Sequence, residues 1–226
     1  MLRLERQFGL RGVVLEWFRS YLHGRTVHVI YDGQTSRVIC VVCSVPQGSV
    51  LGPRLFVLYT AELADKADEH GVKLHAFADD TQWYVHCRRD DALSAMIRLQ
   101  QCIMDIDHWM AANRLKLNAD KTELLWTGSK RNLSVMGGSR PVMQLGTTTV
   151  TATDHARVLG VIISSDLSLE RHVSNVCSKA FFHLRQLRRV RRSLDSVSAS
   201  TLVHAFVTSR VDYCNAILAG GDKGHY

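Results

Sequence analysis

Apolar residues at Leu10, Val13, Val14, Trp17, Phe18 and Tyr21 recur at spacings of three and four, with Arg3 and Arg6 ahead of them and Arg11 and Arg19 among them. Residues 1–23 therefore read as one amphipathic helix, closed at Gly24. The period then changes. Val27, Val29 and Tyr31 alternate with His28 and Ile30 as in a strand, Asp32-Gly33 is a hairpin turn, and residues 36–45 read as the returning strand. Pro46 stops that strand, and Leu55, Phe56, Leu58, Tyr59 and Leu63 predict a helix over 54–63. Two short strand runs follow, one through Leu74, Ala76 and Ala78 and one through Trp83, Tyr84 and Val85. Asp90 or Asp91 can cap a helix to about residue 113, with Ala92, Met96, Leu99, Ile103, Ile106 and Met110 as its buried stripe.

Further on, 115–117 reads as extended, 124–126 as a strand, 142–151 as a hairpin turning near Gly146, and 158–163 as a buried strand. The basic, Gly/Ser-rich stretch 128–140 reads as a surface loop. Residues 170–192 form an amphipathic helix through Val173, Val176, Cys177, Ala180, Phe181, Leu184 and Leu187. Asp195 or Ser196 caps a last helix to Ser209, and 219–226 fray.

Composition narrows the class. The chain has 226 residues, 46% of them hydrophobic, which supports a packed core and excludes wholesale disorder. No apolar stretch is long enough to span a membrane, and no internal repeat stands out. A net charge of +7 fits a polyanionic partner. Cys40, Cys43, Cys87, Cys102, Cys177 and Cys214 are scattered, mostly in apolar runs, and read as reduced, buried thiols of an intracellular protein. Cys40 and Cys43 stand three apart in a predicted strand, on opposite faces, which argues against a metal pair.

The candidate chemistry sits where the two strand runs meet, at Asp79 and Asp80. Two carboxylates about 4 Å apart repel by roughly 4 kcal/mol at an effective dielectric near 20, so a pair placed there calls for a cation. Oxygen donors with no His or Cys cluster beside them favour Mg²⁺. Taken alone, an Asp-Asp pair is more often a solvated hairpin turn, since Asp tolerates turn geometry. In Ser44-Val-Pro-Gln-Gly-Ser-Val-Leu-Gly-Pro53, Gly48 and Gly52 free the backbone for close approach to something flat or charged. Between Arg171 and Arg192 there are seven Lys or Arg and no Asp or Glu. Such a face is either solvated and favoured by the helix dipole or a track for phosphates.

In this order the pieces resemble the reverse transcriptase domain of LINE-class (non-LTR) retrotransposons. Ser20-Tyr-Leu-His-Gly-Arg25 resembles the segment between that family's first two palm motifs. Val45-Pro46-Gln47-Gly48-Ser-Val-Leu-Gly-Pro53 resembles the second motif, which lies against template and incoming nucleotide. Phe77-Ala78-Asp79-Asp80 is similar to the catalytic hairpin, and Leu117-Asn-Ala-Asp-Lys121-Thr to the following motif with its lysine. Val158-Leu159-Gly160-Val161 resembles the primer-grip strand, and the basic helix with 207–215 is similar to the start of the thumb.

The resemblance implies an α+β fold: a partial polymerase palm over 1–165, its antiparallel sheet packed on one face by helices, then a partial helical thumb over 166–226, with the fingers absent. It implies RNA-directed DNA synthesis by two-metal nucleotidyl transfer on an RNA template, a DNA primer and deoxynucleoside triphosphates. Asp79 would ligate Mg²⁺, or Mn²⁺ in its place, with Asp80 supporting it, and Lys121 would neutralise or protonate the pyrophosphate. Val45, Pro46, Gln47, Gly48, Phe77 and Ala78 would shape the nucleotide pocket. Leu159 and Gly160 would meet the primer, and Arg185, Arg188, Arg189, Arg191 and Arg192 the duplex phosphates. No membrane is implied, the oligomeric state is left open, and the compartment is nucleus or cytoplasm.

Three departures qualify the likeness. The family's third carboxylate lies on a strand upstream of 20–25, and no Asp occurs among residues 1–31. The likeness stops near Ala219. Ser44 stands where many relatives have glycine. The expectation is a polymerase fragment, inactive alone for want of the first palm aspartate; the alternative is a non-catalytic nucleic-acid-binding or pseudogene-derived remnant.

Overall fold

The computed structural model describes residues 1–45, 48–129, 132–133 and 140–219. The chain divides into two compact units, Met1–Trp109 and Met110–Tyr226. This is a division by compactness, a different partition from 1–165 and 166–226, which rests on resemblance.

In the first unit the predicted opening helix is two helices, α1 (Leu2–Arg6) and α2 (Val13–Leu22). Gly9 and Gly12, at φ +64° and +57°, place left-handed backbone between them, which a continuous helix cannot hold. The apolar stripe of α2 is not buried: Val13 is 85% exposed, and Trp17 stacks on Tyr21 with centroids 5.5 Å apart. The predicted hairpin forms around Asp32 and Gly33, both at positive φ. Its ladder is broken into β1 (Thr26–Val27) with β4 (Ile39–Cys40), and β2 (Ile30–Tyr31) with β3 (Gln34–Thr35). The strand predicted over 36–45 thus shrinks to two residues.

The helix predicted over 54–63 is likewise two, α3 (Gly52–Thr60) and α4 (Glu62–Glu69), burying Leu55, Leu63 and Ala67. The end of α4 aims the next strand. Gly71 takes φ +64°, its amide donates to Asp68 O (2.9 Å), and the Val72 amide donates to Ala67 O (2.9 Å). These two bonds form a Schellman motif, with buried Val72 and Ala67 as its hydrophobic contact. β5 (Lys73–Phe77) leaves from that turn and pairs antiparallel with β6 (Asp80–Tyr84), as the sequence predicts. A 3₁₀ turn (Arg89–Asp91) leads into α5 (Ala92–Ala112). Ala95, Cys102, Ile103 and Ile106 are its buried face, and Ala92, Met96, Leu99 and Met110 of the predicted stripe are half-buried.

One carboxylate ties these helices together. Glu62 accepts from Arg3 Nη2 (3.0 Å) and from Trp109 Nε1 (2.9 Å), both at Oε2, and from Gln7 Nε2 at Oε1. The Arg3 guanidinium lies 4.7 Å from the Tyr59 ring centroid and 5.3 Å from that of Trp109. Burial pushes the Glu62 carboxyl up, but the Trp109 hydrogen bond, the Arg3 charge and the Gln7 and Arg3 bonds outweigh it and hold its pKa below the ordinary value.

The six cysteines are free thiols, but Cys40, Cys43, Cys87 and Cys177 are exposed and Cys214 half-buried, because the segments carrying them are edge strands, loops and the outer face of a helix. Only Cys102 fits the predicted burial. Its surroundings push the thiol to a pKa of about 11, chiefly by desolvation and secondly by the Asp105 charge.

The second unit holds β7 (Leu124–Leu125), β8 (Val142–Leu145), β9 (Thr148–Thr153), β10 (His155–Val158) and β11 (Val161–Ser164). β8 and β9 turn at Gly146, as predicted, and bury alternate residues, Met143 and Leu145 against Val150 and Ala152. The single strand predicted over 158–163 is a hairpin instead, since Leu159 and Gly160 both take positive φ and reverse the chain. α6 (Glu170–Val190) follows, then a 3₁₀ turn (Arg191–Ser193), α7 (Ser196–Val203), a π turn (His204–Thr208) and α8 (Ser209–Asp212). Asp195 caps α7, its Oδ1 accepting from Ser198 N at 2.7 Å, as the sequence predicts. Buried His172 fixes α6 to β11, with Nδ1 accepting from Ile162 N at 3.3 Å.

The class is α+β, with helices and small, mainly antiparallel sheets. Among the described residues the strands make five separate sheets rather than one, and β7 pairs parallel with β9. Strands of two residues, interrupted by left-handed turns, are too short to extend one ladder. Parts of the predicted loop 128–140, and 220–226, lie outside the described residues.

A depressed carboxyl contributes stability above its unfolded pKa and loses it as pH falls through the folded value. Stability of the first unit is therefore expected to drop below about pH 4.5. Glu62→Ala is expected to cost about 1–2 kcal/mol at pH 7, allowing for partial exposure, and to flatten that acid limb. Urea midpoints from pH 3 to 7 check it; parallel curves for the two proteins would contradict it.

Candidate active site

The β5–β6 register pairs Phe77 with Asp80 and Leu74 with Trp83, which leaves Ala78 and Asp79 as a two-residue turn. Ala78 takes φ +56° and Asp79 does not take positive φ, the pattern of the II′ family of hairpin turns. Glycine is the usual residue there, and an alanine costs on the order of 1 kcal/mol. The unusual backbone thus falls on Ala78, not on an Asp as turn propensity alone implies.

Asp79 lies in the turn and Asp80 opens β6. Both are exposed, as are Ala78 and Phe77, the last at 65%. Among the described residues neither carboxylate has a hydrogen-bond or ion-pair partner, so none of those residues neutralises it. Among the same residues no group of three or more His, Cys, Asp or Glu is placed to hold a metal ion. The pair offers hard oxygen donors only. That fits part of the shell of Mg²⁺ or Mn²⁺ and leaves the other positions to water or phosphate oxygens.

The second candidate stretch precedes α3. Val45 is half-buried and Gly48 exposed, whereas Pro46 and Gln47 lie outside the described residues. Gly48 takes φ +76°, and no described atom stands within 4 Å of where a methyl would sit. Its glycine therefore serves backbone conformation, not close approach to another described part of the protein. Ser44 takes φ +104°, a conformation that side chains resist and glycine adopts freely. Its carbonyl accepts from Arg25 Nη2, and the Arg25 carbonyl accepts from Val41 N at 2.8 Å, so the 20–25 segment and the approach to this loop are joined.

The other candidate residues belong to the second unit. Lys121 is exposed and closes a 3₁₀ turn (Ala119–Lys121), its amide donating to Asn118 O at 3.1 Å. Leu159 and Gly160, at φ +46° and +89°, form the β10–β11 turn. Arg185, Arg188 and Arg189 stand at i, i+3 and i+4 on α6, Arg191 and Arg192 continue in the 3₁₀ turn, and all five are exposed. Tyr213, which sequence reasoning passed over, donates its hydroxyl to Leu159 O at 2.6 Å. Nothing in the local pattern marks it beyond an aromatic at the end of a helix.

Residues 3–163 match the family described as reverse transcriptase (RNA-dependent DNA polymerase). The chain is 28% identical over 163 residues to the RNA-directed DNA polymerase from mobile element jockey of Drosophila melanogaster, covering 70% of this chain and 17% of that protein. It is 27% identical over 162 residues to the probable RNA-directed DNA polymerase from transposon X-element of the same organism, covering 70% and 17%. The jockey polymerase of Drosophila funebris is 26% identical over 169 residues, covering 72% and 18%. No solved structure matches. The chain thus spans under a fifth of the length of these relatives. The family match extends over most of the chain and takes in both the 44–53 loop and the Asp79–Asp80 hairpin, and on that ground the chain belongs to the reverse transcriptase family, beside the polymerases of LINE-type mobile elements.

Proposed function

We propose that this chain is a portion of an RNA-directed DNA polymerase of a non-LTR retrotransposon, with 1–165 contributing palm and 166–226 the start of the thumb. The observation that carries the reading is the Asp79–Asp80 pair, exposed at the tip of a regular hairpin with no cation of the described residues spent on it. Asp79 and Asp80 hold a divalent ion, Mg²⁺ or Mn²⁺. Bound there, the ion supplies charge neutralisation at the reacting phosphate and a more acidic primer hydroxyl. Val45, Gly48, Phe77 and Ala78 are the described residues against which a deoxynucleoside triphosphate lies; Pro46 and Gln47, of the same motif, lie outside the described residues. Phe77 offers an exposed ring to a base or sugar. Lys121 gives charge, or a proton, to the departing pyrophosphate. Leu159 and Gly160 meet the end of a DNA primer annealed to an RNA template.

A second reading, nucleic-acid binding without catalysis, is favoured by the arginines that end α6. Five exposed guanidinium groups in two turns, with no acid between Glu170 and Asp195, give a strip of positive charge that phosphates neutralise. Both readings share this contact and differ only in whether the carboxylates are used.

Ligand number bears on the choice for the polypeptide 1–226. Two adjacent carboxylates supply too few oxygens to fix two near-octahedral ions, and losing a main ligand costs several kcal/mol of transition-state stabilisation, at about 1.4 kcal/mol per factor of ten. Purified 1–226 is expected to give no detectable extension of an annealed primer in Mg²⁺, while retaining weak Mn²⁺ binding that Asp79→Asn removes. Joining an upstream segment that carries the family's first aspartate is expected to restore extension, which Asp79→Ala then abolishes. Extension by 1–226 alone, stopped by Asp79→Ala, would show the two-carboxylate site to be sufficient.

Binding to a primer–template duplex is expected to be sequence-independent. With about five phosphates neutralised, log affinity falls against log salt with a slope of about −4 to −5. Replacing Arg185, Arg188 and Arg189 by alanine should bring the slope close to −2. A salt-insensitive titration, or one unaltered by the substitutions, contradicts this assignment.

A further inference from the structure

The β10–β11 hairpin closes on an awkward residue. Val158 pairs with Val161, and the two residues between them, Leu159 and Gly160, both take positive φ, the I′ pattern. I′ turns favour Asn or Gly at the first central position, where leucine resists the left-handed conformation. The turn is held from outside by a residue 54 positions later in the chain. Tyr213 hydroxyl donates to Leu159 O at 2.6 Å, and a methyl group placed on Gly160 would stand 3.2 Å from Tyr213 Cε1. Hydroxyl and ring thus grip the two turn residues at once. Tyr213 is delivered by its own backbone reversal: α8 ends at Asp212, Tyr213 is extended, and Cys214 takes φ +55°.

We propose that Tyr213 is a positioning residue, which clamps the Leu159–Gly160 turn and so fixes where the end of a bound primer rests. The assignment of the turn to the primer rests on the reading under Proposed function; the clamp does not. Two consequences follow from the geometry. Gly160 is needed both for its backbone angle and for the space that the Tyr213 ring occupies. The turn is also tied to the helical segment that follows the arginine strip, so the contact with the primer terminus and the contact with the duplex phosphates belong to one framed piece of the second unit.

The test uses the whole chain and does not require catalysis. Tyr213→Phe keeps the ring and removes only the hydroxyl. Amide hydrogen exchange at Val158 and Val161 is expected to quicken about three- to tenfold, the change that one lost hydrogen bond produces. In parallel, a primer–template with 2-aminopurine at the primer 3′ end is titrated with both proteins. The wild type is expected to change the terminal fluorescence; Tyr213→Phe is expected to bind with the same affinity and the same salt slope but without that change. Gly160→Ala should reproduce the loss by pushing the ring aside. Unaltered exchange in Tyr213→Phe overturns the clamp. Faster exchange with the terminal signal intact overturns the positioning role. A wild type that binds with no terminal signal overturns the reading of the turn as a primer contact, while the exchange measurement still decides the clamp.

Discussion

The first unit depends on one partly exposed carboxylate. Glu62 draws together α1 through Arg3 and Gln7, and α5 through Trp109, at the start of the helix whose other end carries the Gly71 turn. The Arg3 guanidinium, set against two aromatic rings, is what makes a half-buried carboxylate there tolerable. Because α4 is fixed at its first residue by this cluster and at its last by the Schellman turn, the direction in which β5 departs is set. The Asp79–Asp80 tip lies a short strand away, on a hairpin that buries little of its own and takes its aim from the helix before it.

Left-handed backbone marks several of the stretches that carry the family likeness. Gly24 closes the 20–25 segment at φ +66°, Ser44 and Gly48 bracket the start of the 44–53 loop, Ala78 opens the carboxylate turn, and Leu159 and Gly160 make the later hairpin turn. Three of these are not glycine. Each non-glycine residue costs on the order of 1 kcal/mol and persists because its surroundings hold it: Arg25 on the Ser44 carbonyl, the β5–β6 ladder around Ala78, and Tyr213 on Leu159.

Much of this was legible in the residues. The alternation around Asp79–Asp80, the Asp32-Gly33 and Gly146 turns, the long α5 and α6 and the Asp195 cap all follow from local rules and appear as read. What escaped was decided by backbone handedness or by distant partners. The stripe from Leu10 to Tyr21 has helical spacing, but Gly9 and Gly12 break the helix, and spacing cannot say that Val13, Val14 and Trp17 stay exposed among the described residues. Val158 to Ile163 is uniformly apolar, so a reversal at Leu159 leaves no mark in hydropathy; only Gly160 hints at it. The Glu62 cluster joins residues up to 106 positions apart, and no local pattern forecasts it.

The thiol of Cys102 carries a consequence of a different kind. It is fully buried on α5 and held near pKa 11, so at neutral pH it is almost wholly the unreactive thiol form. Four of the other cysteines stand open to solvent. An alkylating reagent therefore spends the four open thiols at once, meets half-buried Cys214 next, and reaches Cys102 only when α5 lifts from its neighbours. The molecule carries a built-in clock for the opening of its first unit, readable by mass without any label or mutation.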